Sequence, residues 1–206
     1  MPISYPVTPP SSPSARDCEL SGRAVVGVTE SPFTGSQQVQ ASQGQMWSLS
    51  VTLPPMVRAD AEAWFAFMLK LNGRYGTFTF CPPAMKTPRG IATGTPLVDG
   101  ASQTGNSLAT KGWTATQTGI LKAGDLLQLG TGATARLHKV LADANSDGAG
   151  KTTLTIWPNL RSSPADSAAI VVSSPVGLFR LASNEMPCVM DVAQHFGLSF
   201  GAVEAL

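Results

Sequence analysis

The stretch Asp143–Thr153, DANSDGAGKTT, concentrates the residue types that bind ions and phosphates. Asp143, Asn145 and Asp147 followed by Gly148 reproduce the opening spacing of a helix–loop–helix calcium site. That site needs a bidentate glutamate at its twelfth position and a helix on each side. The twelfth residue is Leu154, and the flanks RLHKVLA and TTLTIW are rich in strand formers. Gly150-Lys151-Thr152 ends like a phosphate-cradling loop, but the first glycine of that motif falls on Asn145, and no helix-forming run follows. Asp, Asn, Ser and Gly between two β-type runs satisfy their own backbone in turns. The stretch is therefore expected to be a hairpin connection, with no metal and no nucleotide.

Other chemistry finds no constellation. The two histidines, His138 and His195, lie far apart in sequence, and no G-x-S-x-G elbow presents a serine nucleophile. His138 shares an alternating run with Arg136 and Val140 and reads as a surface or satisfied polar residue. Asp99, Asp125 and Asp166 sit in turn contexts, not as paired acids of a cleft. Cys18, Cys81 and Cys188 are odd in number and contain no CxxC, so neither a disulfide framework nor a zinc site is expected. No enzyme activity and no cofactor are expected.

The composition points to assembly. Apolar residues make up 43% of the 206-residue chain, enough for a core, while charged residues make up only 13%. An ordinary soluble domain carries roughly 25%. A surface so poor in charge is expected to be covered, in part by copies of itself. The net charge of +1 gives no field for nucleic acid. No secretory signal pattern opens the chain and no apolar run suits a membrane span, so synthesis in a cytoplasm is expected.

Residues 1–17 form a Pro/Ser-rich extended arm. RAVVGV reads as a short strand, followed by a glycine-punctuated loop over 31–45. In QMWSLSVTLP, Trp47, Leu49, Val51 and Leu53 alternate with Ser48, Ser50 and Thr52, the pattern of a half-buried strand. Trp64, Phe67, Met68 and Leu71 recur at i, i+3, i+4 and i+7 and predict one helix over about 58–72, stopped by Gly73. RYGTFTF returns to β, residues 84–120 are loop-rich, and short strands with regular turn signals follow from 120 onward. The expected fold is mainly β. An N-terminal β-sandwich with one packed helix is built from 18–90 and 178–206, and a small barrel-like β-domain is inserted at 95–175.

The order of SPFTGSQQVQ, the Trp47 strand ending VTLPPM, the helix segment RADAEAWFAFMLKLNGRYGTFTF, and the later LKAGDLLQLG, DGAGKTTLTIWPNL and GLFRLASN resembles distal tail proteins of long non-contractile-tailed phages, prophages and gene transfer agents. The resemblance implies a virion structural protein made in the bacterial host cytoplasm. It implies a homo-oligomeric, hexameric ring at the distal end of the tail, with the tail tube protein and the tail-tip hub protein as partners. Tyr5 in the arm and Phe33, Gln37 and Gln38 in the loop are the candidate interface residues. Two alternatives stand beside it. One is a carbohydrate- or receptor-binding β-module of the tail tip, with Trp113 and Trp157 as sugar platforms. The other is a different tail subunit, tube or terminator, although the long tube-lining hairpin of tube subunits is not evident in the sequence.

Overall fold

The computed structural model describes residues 3–190 and 195–206; residues 1–2 of the expected arm and 191–194 of the expected tail strands lie outside the described residues. The fold is mainly β: an N-terminal β-sandwich that carries one helix, and a barrel-like insert.

Five antiparallel strands form the first sheet, in the order β1 (Asp17–Glu30), β2 (Gln37–Thr52), β13 (Ser199–Glu204), β10 (Gly177–Leu181) and β3 (Phe78–Phe80). Trp47, Leu49, Val51 and Leu53 turn inward, as their alternation requires. Helix α1 (Arg58–Lys70) packs its Ala61, Trp64, Phe67 and Met68 stripe onto this layer, and Leu71 beside its end is fully buried. Asn72 and Gly73 then adopt left-handed φ values of 49° and 64°. A side chain at Gly73 would also strike Asn184, so glycine is required at this turn. The aromatic core is edge-to-face: Phe67 meets Phe78 at 5.5 Å, and Phe78 meets Phe200 at 6.1 Å.

The second sheet runs β4 (Gly94–Val98), β5 (Gly105–Trp113), β8 (Thr152–Leu160), β7 (Arg136–Val140), β6 (Leu126–Leu129), β9 (Ile170–Val171). Its two ends meet. Leu97 bridges Ala169, the Val98 N–H donates to the Ala168 carbonyl at 2.9 Å, and the Ser167 N–H donates to the Val98 carbonyl at 3.0 Å. The sheet thus rolls into a small barrel filled by Leu108, Leu127, Leu154 and Ile156. A two-stranded ribbon, β11 (Val189–Met190) with β12 (Phe196–Gly197), completes the described strands.

The two sheets share a seam. The Trp47 and Trp157 rings meet edge-on at 4.4 Å, and the Trp47 indole N–H donates to the Leu137 carbonyl at 2.9 Å. Leu126 and Leu137 of the barrel belong to the core of the first sheet.

The loop expected over 31–45 is a correction. Only residues 31–36 turn; β2 already begins at Gln37, and β1 and β2 form one long hairpin. Its outer half meets water on both faces, so it lacks the contrast of buried and exposed positions that marks a strand.

Candidate functional site

The hairpin changes character at a bulge. Arg23 faces Met46 and Val25 faces Ser42, so Ala24 alone stands opposite Gln43, Gly44 and Gln45. Below the bulge the hairpin is part of the first sheet. Above it, residues 24–30 and 32–43 are exposed on both faces, and the pair projects as a two-stranded ribbon.

The ribbon is amphipathic. Cross-strand partners share a face, so Val26 with Ala41 and Val28 with Val39 make one side apolar. Val25 with Ser42, Gly27 with Gln40, and Thr29 with Gln38 make the other side largely polar. At the tip, the Ser31 N–H donates to the Ser36 carbonyl and the Gly35 N–H to the Ser31 carbonyl, both at 2.9 Å. Phe33 stands out from this turn 95% exposed. Gln37 lies at the tip end of the apolar face, its amide donating to Glu30 at 3.2 Å, while Gln38 lies on the opposite face.

The barrel braces the base of the ribbon. The Gln45 side-chain oxygen accepts the Asn159 N–H at 2.8 Å, and its carbonyl accepts from the Arg161 guanidinium. Gly22 lies against the Trp157 ring so closely that a Cβ there would come within 2.7 Å of it.

The N-terminal arm lies along its own subunit. The Val7 N–H donates to the Thr77 carbonyl at 2.9 Å beside a parallel bridge to Phe78, which covers the open edge of β3. The Trp64 indole donates to the Ser12 carbonyl at 3.2 Å. Tyr5 is half-buried, its hydroxyl donating to the Lys70 carbonyl at 2.9 Å and its ring edge-on to Tyr75. Tyr5 is therefore an internal contact, separate from Phe33, Gln37 and Gln38, which the hairpin groups at one tip.

Trp113 and Trp157 do not serve as sugar platforms. Trp113 is 4% exposed inside the barrel, its indole donating to the Thr110 hydroxyl at 2.8 Å. Trp157 is occupied by Gly22 and Trp47 in the seam. One ring is enclosed by the barrel core and the other is packed between Gly22 and Trp47.

The ion-like loop is consumed by its own fold. Asp143 accepts the Ala123 N–H at 2.9 Å and the Lys122 ammonium at 2.9 Å, which hold its carboxyl below the usual range. Asn145 accepts the Gly119 N–H at 2.7 Å, and Asp147 accepts the N–H groups of Ala149 and Lys151, both at 2.8 Å. Lys151 reaches Asp99 at 2.8 Å and holds that carboxyl low. Lys111 likewise holds Asp166 far below the usual range, helped by the Gly100 N–H. Among the described residues no cluster of His, Cys, Asp and Glu suits a metal ion.

His138 takes the second of its two expected places, a satisfied polar residue, with Nδ1 2.8 Å from the Pro158 carbonyl. His138 is 5% exposed in the barrel, not at the surface, and burial pushes its imidazole down to about 4. It lines a cleft of about 190 Å³ together with Arg136, Pro158, Leu160 and the ion pair of Arg161 with the buried Glu204. Its shared alternation with Val140 was the available signal, because Val140 faces the barrel core.

No family model matches the chain, and no curated protein matches its sequence.

Proposed function

We infer that the chain is a structural subunit of the tip of a long non-contractile phage tail, assembling with copies of itself into a hexameric ring between tail tube and tip hub. One observation carries this reading: the projecting ribbon, with Val26, Val28, Val39 and Ala41 exposed on one face and, among the described residues, none of its own chain covering them. An isolated two-stranded ribbon is marginal in water, and an exposed apolar face at its side marks a contact surface. A ribbon that reaches away from its own body meets a different surface on the next copy, a head-to-tail contact that closes into rings. The charge-poor composition and the order of motifs shared with distal tail proteins support the same reading.

The length of the hairpin also favours the second reading, a tube subunit, since such subunits line their tube with long hairpins. Ring and tube differ in stacking. Native mass spectrometry and electron microscopy of the purified chain test both. Discrete sixfold rings support the tail-tip reading and open-ended stacks the tube. A monomer at all concentrations, with no incorporation into particles, sinks both.

A further inference from the structure

A second apolar surface lies across the first sheet from the ribbon. Leu69 near the end of α1, Tyr75 in the turn that follows, and Ile3 in the arm are all exposed. The Asn72 N–H donates to the Leu69 carbonyl at 3.0 Å and the Tyr75 N–H to the Asn72 carbonyl at 3.4 Å, so Leu69 and Tyr75 belong to one tight turn. Tyr5 ties the arm to that turn through the Lys70 carbonyl and the Tyr75 ring, with Ile3 two residues away. Single exposed apolar residues are ordinary on a protein surface. Here three gather about one turn.

The sheet order sets β1 and β3 at opposite edges, four strand spacings or roughly 19 Å apart. The successive antiparallel pairings make β1 and β3 run in the same direction. The ribbon is the far end of β1, whereas Tyr75 comes before the start of β3. The two surfaces therefore stand at diagonally opposite corners of the sheet. A head-to-tail contact joins two different surfaces in this way, while a two-fold dimer uses one patch against itself. The charges match as well. Between Ala24 and Met46 the one charged side chain is Glu30, and between Ala63 and Phe80 the charged side chains are Lys70 and Arg74. All three are exposed. The acid Glu185 follows Asn184, whose side chain accepts the Arg74 N–H, so two cations face one acid and the turn stays net positive. Opposite charges on two surfaces fix the register in which they meet.

We propose that the Leu69–Tyr75 turn is the surface on which the neighbouring copy lays its ribbon, Val28 and Val39 against Leu69 and Tyr75, and Glu30 toward Lys70 and Arg74. The assignment rests on the reading of the chain as a self-assembling subunit. Native mass spectrometry of the full chain tests it, with thermal melts to check that each variant folds. Tyr75→Asp and Leu69→Asp should each abolish the oligomer, as Val28→Asp does. Val28→Asp retains the turn and Tyr75→Asp retains the ribbon, so an equimolar mixture of the two should give a one-to-one heterodimer and nothing larger. Glu30→Arg and Arg74→Glu should each weaken assembly, by about fivefold at most for an exposed ion pair, and together restore it. Leu141→Asp, at an equally exposed apolar position on the barrel, should leave assembly intact. A wild-type oligomer unaffected by Tyr75→Asp and Leu69→Asp overturns this assignment alone and leaves the ring standing. So does a mixture that remains monomeric. A wild-type chain that is monomeric throughout overturns the ring, and the assignment with it.

Discussion

The Arg161 guanidinium meets the Glu204 carboxylate in a fork, Nη1 to Oε1 at 3.0 Å and Nη2 to Oε2 at 3.1 Å. It joins the end of a barrel strand to the last strand of the first sheet, and Glu204 also accepts the Trp47 N–H at 3.0 Å. Glu204 is buried and Arg161 is partly so. Removing the arginine leaves a buried carboxylate with one remaining donor. Arg161→Ala is expected to lower unfolding free energy by about 2–4 kcal/mol in urea titrations. Glu204→Gln, which removes the charge, should cost less.

His138 predicts a pH dependence. Its imidazole titrates near 6.5 when unfolded and near 4 when folded. Between those values the unfolded chain binds the proton and the folded chain does not. Its contribution is therefore complete above about pH 6.5, is lost as the pH falls toward 4, and is level below that. The loss is about 3 kcal/mol at most. The lowered carboxylates Asp99, Asp143 and Asp166 act only at more acid pH, as they protonate below their ordinary range. Denaturation curves between pH 7 and 4 should flatten in His138→Phe; an unchanged slope would show that another group is responsible.

The apolar face of the ribbon separates assembly from folding. Val28→Asp or Val39→Asp places a charge on an exposed position, where the expected change in stability is within about 0.5 kcal/mol. Both should prevent oligomer formation in light-scattering or native mass measurements. Thr29→Asp, on the opposite face, should be tolerated better.

Calcium should do nothing. A ligand bound only by the folded state raises its stability, yet Asp143, Asn145 and Asp147 already accept backbone and lysine hydrogens. The melting temperature is expected to stay constant on adding millimolar calcium or EDTA.

Gly150 in the same loop should be intolerant. It has a φ of 69°, and a Cβ would overlap the Trp113 carbonyl, which is backbone and cannot yield. Gly150→Ala should cost about 2 kcal/mol or more, measured by thermal or chemical melts.

The sequence announced those elements whose burial is one-sided. Trp64, Phe67, Met68 and Leu71 marked the helix, and Trp47 to Leu53 marked the inner half of β2, because one face of each meets a core. The outer hairpin was illegible for the opposite reason. Its residues meet water on both faces, and only cross-strand hydrogen bonds hold Gln37–Ser42 extended. His138 was half legible. Alternation gave it a face in common with Arg136 and Val140, but the side that becomes interior depends on how the strip of strands rolls up. Trp113 and Trp157 were misread for the same reason.

Phe80, the last residue of β3, lies directly opposite Gly177, the first of β10. Everything from 81 to 176, barrel included, leaves and re-enters the first sheet at one rung of its ladder. In topological terms the barrel is an oversized hairpin loop, and a short turn could replace it without rerouting a strand. Its removal would strip Trp157 and Leu137 from Trp47 and release the brace on Gln45. A lineage is therefore free to exchange the insert as a cassette, provided each replacement brings its own wedge for the Trp47 seam and its own support for the base of the ribbon.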